Sequence, residues 1–138
     1  TDAELAEIRA MHFEMMAAYT RRDLSNYYRL NAAIHRAINA AAKNPVLSAT
    51  YDRVNARLQA LRFRSNQVEE KWKTAMKEHE QMIEALTARD ANGMRAVLAT
   101  HLKNKLDVVI EQLREGASPA RPKKPSRATS ARAQKGAR

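Results

Sequence analysis

The sequence predicts an all-α protein, an antiparallel bundle of five to six helices followed by a disordered, basic C-terminal tail. Three observations carry that expectation. Residues 1–115 contain one proline, Pro45, and one glycine, Gly93. The same stretch is rich in Ala, Leu, Met, Arg, Lys and Glu, the residues that lose least on entering a helix. Apolar residues recur at steps of three and four, and no strand-like alternation competes with them.

The elements follow in order from caps and stripes. Thr1 or Asp2 caps a first helix whose apolar stripe is Leu5, Ile8, Met15 and Tyr19. Asp23 caps a second, running to about Ala42, with Leu24, Tyr27, Ile34 and Ile38 inward. Asn44 and Pro45 read as an N-cap with proline at the first helical position. The third helix then carries Leu47, Tyr51, Val54, Leu58 and Leu61. A break near Ser65 to Gln67 separates it from a fourth with the stripe Trp72, Met76, His79, Ile83 and Leu86. Asp90 caps a fifth with Met94, Val97, Leu98, His101, Val109 and Leu113, and Gly116 is a natural stop. Such helices, joined by short connections, bury their stripes against one another.

A chain of 138 residues suits a single domain, and its 44% hydrophobic content is ordinary for a globular protein. The net charge of +10 is unevenly placed. Seven of the 25 Lys and Arg lie from Gly116 onward, where there is no acid, which leaves a net +3 for residues 1–115. The chain therefore divides into a nearly neutral bundle, 1–115, and a basic tail, 116–138. The tail, GASPARPKKPSRATSARAQKGAR, has three prolines and almost nothing apolar beyond alanine. It buries too little surface to offset its ordering entropy and is expected to be disordered. A second functional reading follows from it: a helical protein that associates with nucleic acid through the basic tail. No aromatic residue interleaves with these charges, so stacking on bases is not expected.

The absence of cysteine excludes disulfides and thiolate sites. No apolar run reaches about 18 residues, so no membrane span is expected. The first residues lack a signal-peptide pattern, and a cytoplasmic location is expected. The chain begins at Thr1 rather than Met, as a fragment or processed product would.

Chemistry enters with the histidines. His35, His79 and His101 fall on the predicted buried stripes of three different helices, while His12 lies beside the first stripe and reads as surface or packing. Imidazole is the commonest metal ligand near neutral pH, and bundles build metal sites from facing helices. Asn31, four residues before His35, lies one turn away and can point at the same centre. Ferritin-like di-iron sites need Glu three residues before His, but Met76 and Leu98 stand there instead. The HExxH protease signature fails at Ile83. Three neutral nitrogens and one amide oxygen leave coordination positions open for water or a ligand carboxylate. An enzyme is not expected, because no inward carboxylate stands ready as a general base.

Three phrases resemble the FCD domain, the effector-sensing domain of one GntR subfamily of bacterial transcription regulators. LNAAIHRAINAAAKNPVL is similar to the family phrase LNxxFHxxIxxAAxNPxL, with Ile34 where Phe is more usual. EHEQMIEALTARD, from Glu78 to Asp90, is similar to EHxxIxxAIxxxD. LATHL, with His101 eleven residues after Asp90, is similar to MxxHL. The resemblance covers roughly residues 1–115. It implies Asn31, His35, His79 and His101 as metal ligands, with zinc, nickel or manganese as the divalent ion. It also implies a small organic acid, a carboxylate effector, bound beside that ion. Asn31 stands where many members carry Asp, and a neutral amide is the weaker oxygen donor, so lower metal affinity is expected.

An arginine fork could clamp such a carboxylate. With about 100° per residue, the third stripe centres near Leu58 and Ser65, and Arg62 lies about 60° from that centre. Arg62 and Ser65 are therefore the expected ligand-binding residues. Regulators of this kind act as homodimers and read DNA through an N-terminal winged helix-turn-helix, which has no counterpart before Thr1. The usual first helix of the sensing domain has none either. The expected function is that of the sensing half, altering DNA binding by a domain missing from this chain.

Overall fold

The computed structural model describes residues 1–65 and 69–117, and the side chains of residues 59–65, 112 and 115–117 lie outside that description. Five helices succeed one another: α1 (Asp2–Thr20), α2 (Leu24–Ala41), α3 (Pro45–Ser65), α4 (Glu69–Thr87) and α5 (Ala91–Ala117). No strand occurs among the described residues.

The caps sit where the sequence put them. Thr1 accepts from the Glu4 amide while the Glu4 side chain reaches back to Thr1, a reciprocal capping box. Asp23 accepts from the Asn26 amide at 3.0 Å and Asn44 from that of Leu47 at 3.0 Å. Asp90 accepts from Gly93 at 2.9 Å. A Cβ on Gly93 would stand 2.3 Å from Asp90 Oδ2, so glycine there leaves room for the capping carboxylate.

Three connections share one design. Arg22, Lys43 and Arg89 each adopt a left-handed backbone, with φ of 59, 53 and 57°, immediately before the next cap. That conformation costs a residue with a Cβ roughly 1–2 kcal/mol, and glycine is the usual occupant. Here each basic side chain instead pairs with an acid in the first turn of another helix: Arg22 with Glu69, Lys43 with Glu4, and Arg89 with Asp2. These exposed pairs add little stability. They also place acids at helix N-termini, where the helix dipole favours them.

Packing closes a ring. α1 lies against α2 and α4, α3 against α2 and α5, and α5 against α3 and α4. α1/α2, α2/α3 and α4/α5, consecutive and joined by short turns, run antiparallel. The apolar core is built by Ile8, Met15 and Ala18 of α1, Tyr27, Leu30 and Ile34 of α2, and Trp72 and Met76 of α4. Trp72 is its keystone, meeting the rings of Tyr19 and Tyr27 edge-on at 4.9 and 5.2 Å.

Two expected stripes are corrected. On α3, Leu47 and Val54 are exposed, whereas Asn55 is buried and Tyr51 and Leu58 are half-buried. The inward face is therefore turned toward 51–55–58, because the interior that α3 meets accepts an amide. On α5, Leu113 is 55% exposed rather than inward, in company with Leu102 and Leu106. α5 has 27 residues against 18 to 21 in the others, so its neighbours cannot cover its whole length. It also continues through Gly116, the expected stop, to Ala117. The expected tail beyond Ala117 lies outside the described residues.

Because Trp72 joins α4 to both α1 and α2, Trp72→Ala should destabilise the protein by about 3–5 kcal/mol. Urea denaturation followed by circular dichroism checks this. A loss below 1 kcal/mol would show that the aromatic contacts do not hold these helices.

Candidate metal centre

The polar end of the interior is assembled from three helices. On α2, Asn31 and His35 share the buried face with Tyr27, Leu30 and Ile34, one turn apart. On α4, His79 lies among Ala75, Met76 and Met82. α5 contributes His101, with Val108 and Val109 buried two turns further on. Apolar neighbours within each helix thus carry the imidazoles inward.

The three rings meet. Their centroids are 5.0 Å apart for His35 and His79, 5.3 Å for His35 and His101, and 5.2 Å for His79 and His101. One nitrogen from each lies within 4.8 Å of the others, and all three residues are buried. His79 is completely inaccessible, and neither of its ring nitrogens has a hydrogen-bond partner among the described residues. Burial pushes the His79 imidazole well below its ordinary pKa, reinforced by His35 and His101 beside it. It is therefore neutral, with a lone pair available for a cation. A divalent metal fits this donor set: neutral, desolvated imidazoles from facing helices are the ligands such ions take in bundles. Asn31, 8% exposed, offers an amide oxygen one turn before His35.

A carboxylate stands behind the cluster. Glu78 is 7% exposed, and its Oε2 lies 2.7 Å from His101 Nδ1. Its other oxygen accepts from the Asn104 side chain. Burial pushes the Glu78 carboxyl up, but the bonds from His101 and Asn104 outweigh this and leave it below its ordinary value. Glu78 is thus an inward carboxylate, but both its oxygens are engaged, by His101 and Asn104, rather than standing ready as a general base. Glu78 stands next to His79 in the sequence, outside the stripe of Trp72, Met76, His79, Ile83 and Leu86. His12 is buried at 4% exposure, with Nε2 unpartnered, so of its two expected settings it takes packing. Arg62 and Ser65 lie on α3, but their side chains are outside the described residues.

The FCD domain family matches residues 1–104, three quarters of the chain, a span that includes all four histidines. The chain belongs to the FCD domain family. FCD domains are effector-binding regulatory domains of GntR-family transcription regulators, and such regulators are not enzymes. Comparison with curated proteins and with solved structures found no match. Among the described residues, no helix of this FCD domain is long and apolar enough to cross a membrane.

Burial of His79 has a consequence for stability. Its pKa in the fold lies below the ordinary 6.5, so below that pH the unfolded chain takes up a proton that the fold refuses. The stability is fully present above pH 6.5 and is lost as pH falls toward the depressed value, at about 1.4 kcal/mol per pH unit for one proton. His12, also depressed by burial, adds to the slope with the same sign. Urea melts of the chelator-treated protein at pH 7.5, 6.5 and 5.5 should show it, and His79→Gln should flatten the slope by about one proton. An unchanged slope would mean that His79 protonates within the fold.

Proposed function

We propose that this domain senses a small organic acid bound beside a divalent metal ion, with His35, His79 and His101 as nitrogen ligands and Asn31 as an oxygen ligand. The observation that supports this most is the convergence of three buried imidazoles, one of them with no hydrogen-bond partner for its nitrogens among the described residues. Zinc, nickel or manganese suits such a set. The ion, when bound, supplies a positive centre that an effector carboxylate can join. The protein ligands themselves are neutral and supply no anion at the ion, which favours an anionic effector as a further ligand.

Arg62 is the proposed clamp for the effector carboxylate and Ser65 a second donor. Arg62 stands seven residues after Asn55, the buried polar residue of α3, and seven residues are close to two helical turns. The bundle through about residue 115 is the sensing unit, and the basic segment from Gly116 is an appended tail. The regulator works in the cytoplasm as a homodimer, and DNA is read by a separate domain. Effector binding shifts the population between two dimer arrangements and so changes DNA affinity.

Titration calorimetry of the chelator-treated chain with zinc, nickel and manganese tests the reading. Wild type should bind at least one of them, and His79→Ala combined with His101→Ala should abolish the heat. Absence of heat from wild type with all three metals would end the metal reading. Asn31→Asp should tighten binding by about tenfold or more, since a carboxylate replaces a neutral amide oxygen. An unchanged affinity would remove Asn31 from the ligand set.

A further inference from the structure

We propose that Glu78 is a positioning residue for the metal centre: it fixes the tautomer of His101 so that Nε2 carries the lone pair, and it supplies the negative charge that the neutral donors lack. The first part follows from hydrogen-bond inventory alone. A carboxylate only accepts, so a neutral imidazole can bond it at Nδ1 only by carrying its proton there. The contact is 2.7 Å between two buried groups, His101 and Glu78, 23 residues apart on neighbouring helices. The deprotonated nitrogen is then Nε2.

Asn104 makes the arrangement stiff. It donates to the second Glu78 oxygen from one turn beyond His101 on α5, so both carboxylate oxygens are held from the same helix. Lys71, Thr74 and Lys105 line a small cleft beside Glu78 between α4 and α5. The other carboxylate there, Asp107, pairs with Lys103 and is exposed.

The second part concerns charge, and it rests on the metal reading above. His35, His79, His101 and Asn31 are all neutral donors, so a divalent ion among them would sit in a desolvated interior without an anionic ligand. Glu78 reaches the site through His101 and offsets that charge from one residue away. Carboxylates placed behind ligating histidines raise ligand basicity in this way, and their loss weakens metal binding about 10- to 100-fold. With a neutral amide at Asn31, Glu78 is the carboxylate nearest to hand, one residue behind the His101 ring. A bare clip between α4 and α5 would need the hydrogen bond but not its effect on metal.

Two measurements on the full chain decide the matter. In the metal-free protein at neutral pH, long-range nitrogen–proton NMR should find His101 as the Nδ1–H tautomer in wild type. An Nε2–H tautomer in wild type overturns the proposal, and this needs no variant to fold. Zinc calorimetry of Glu78→Gln, with its helicity confirmed by circular dichroism, should show affinity about 10- to 100-fold below wild type. Equal zinc affinity in Glu78→Gln sinks the role of Glu78 while leaving the metal reading intact. A wild-type chain that takes no zinc, nickel or manganese sinks the metal reading, and with it the charge role.

Discussion

Removing the imidazole of His79 from water is the constraint around which this interior is arranged. A buried polar atom without a partner costs about 1–3 kcal/mol, and His79 holds two nitrogens in that condition. Apolar packing on α4, with Met76 and Met82 on either side, forces the residue inward regardless. His35 and His101 beside it push the His79 imidazole further from protonation, because a like charge nearby raises the cost of charging it. An interior that gathers three buried imidazoles is costly for a packing core and well suited to a cation.

The bundle separates this task from the task of staying folded. The cluster of Ile8, Met15, Ala18, Tyr27, Leu30, Ile34, Trp72 and Met76 draws on α1, α2 and α4 and takes no residue from α5. α2 and α4 thus serve both the core and the imidazoles, and their positions are fixed by aromatic and aliphatic packing. α5 joins the polar centre through His101 and the Glu78–Asn104 bonds, while Leu102, Leu106 and Leu113 face outward. α5 is held both by these polar contacts and by its buried Val108 and Val109.

Glu78 and Asn55 show how a buried polar group can escape a reading of the chain. Both lie beside an apolar stripe, and both are placed by what the neighbouring helix offers. Asn55 turns α3 away from the Val54 stripe, leaving Leu47 and Val54 in solvent. Glu78 finds His101 and Asn104 on α5, partners 23 and 26 residues away, which no local pattern announces. Hydrophobic periodicity ranks residues by what they lose in water, and it has no term for a partner waiting across the bundle.

By itself the sequence determined the helices, their caps and three of the inward histidines, because these depend on neighbours within four residues along the chain. Thr1, Asp23, Asn44 and Asp90 cap locally, and His35, His79 and His101 ride inward on stripes of their own helices. The family phrases added order to those residues. Tertiary structure alone decided that the three rings meet and that one of them, His101, is held by the buried Glu78 carboxylate. It also decided that α3 presents Asn55 rather than Val54, and that the end of α5 stays uncovered. Those outcomes depend on the rotation and offset of packed helices, which are fixed by the fit of whole surfaces rather than by any short run of residues.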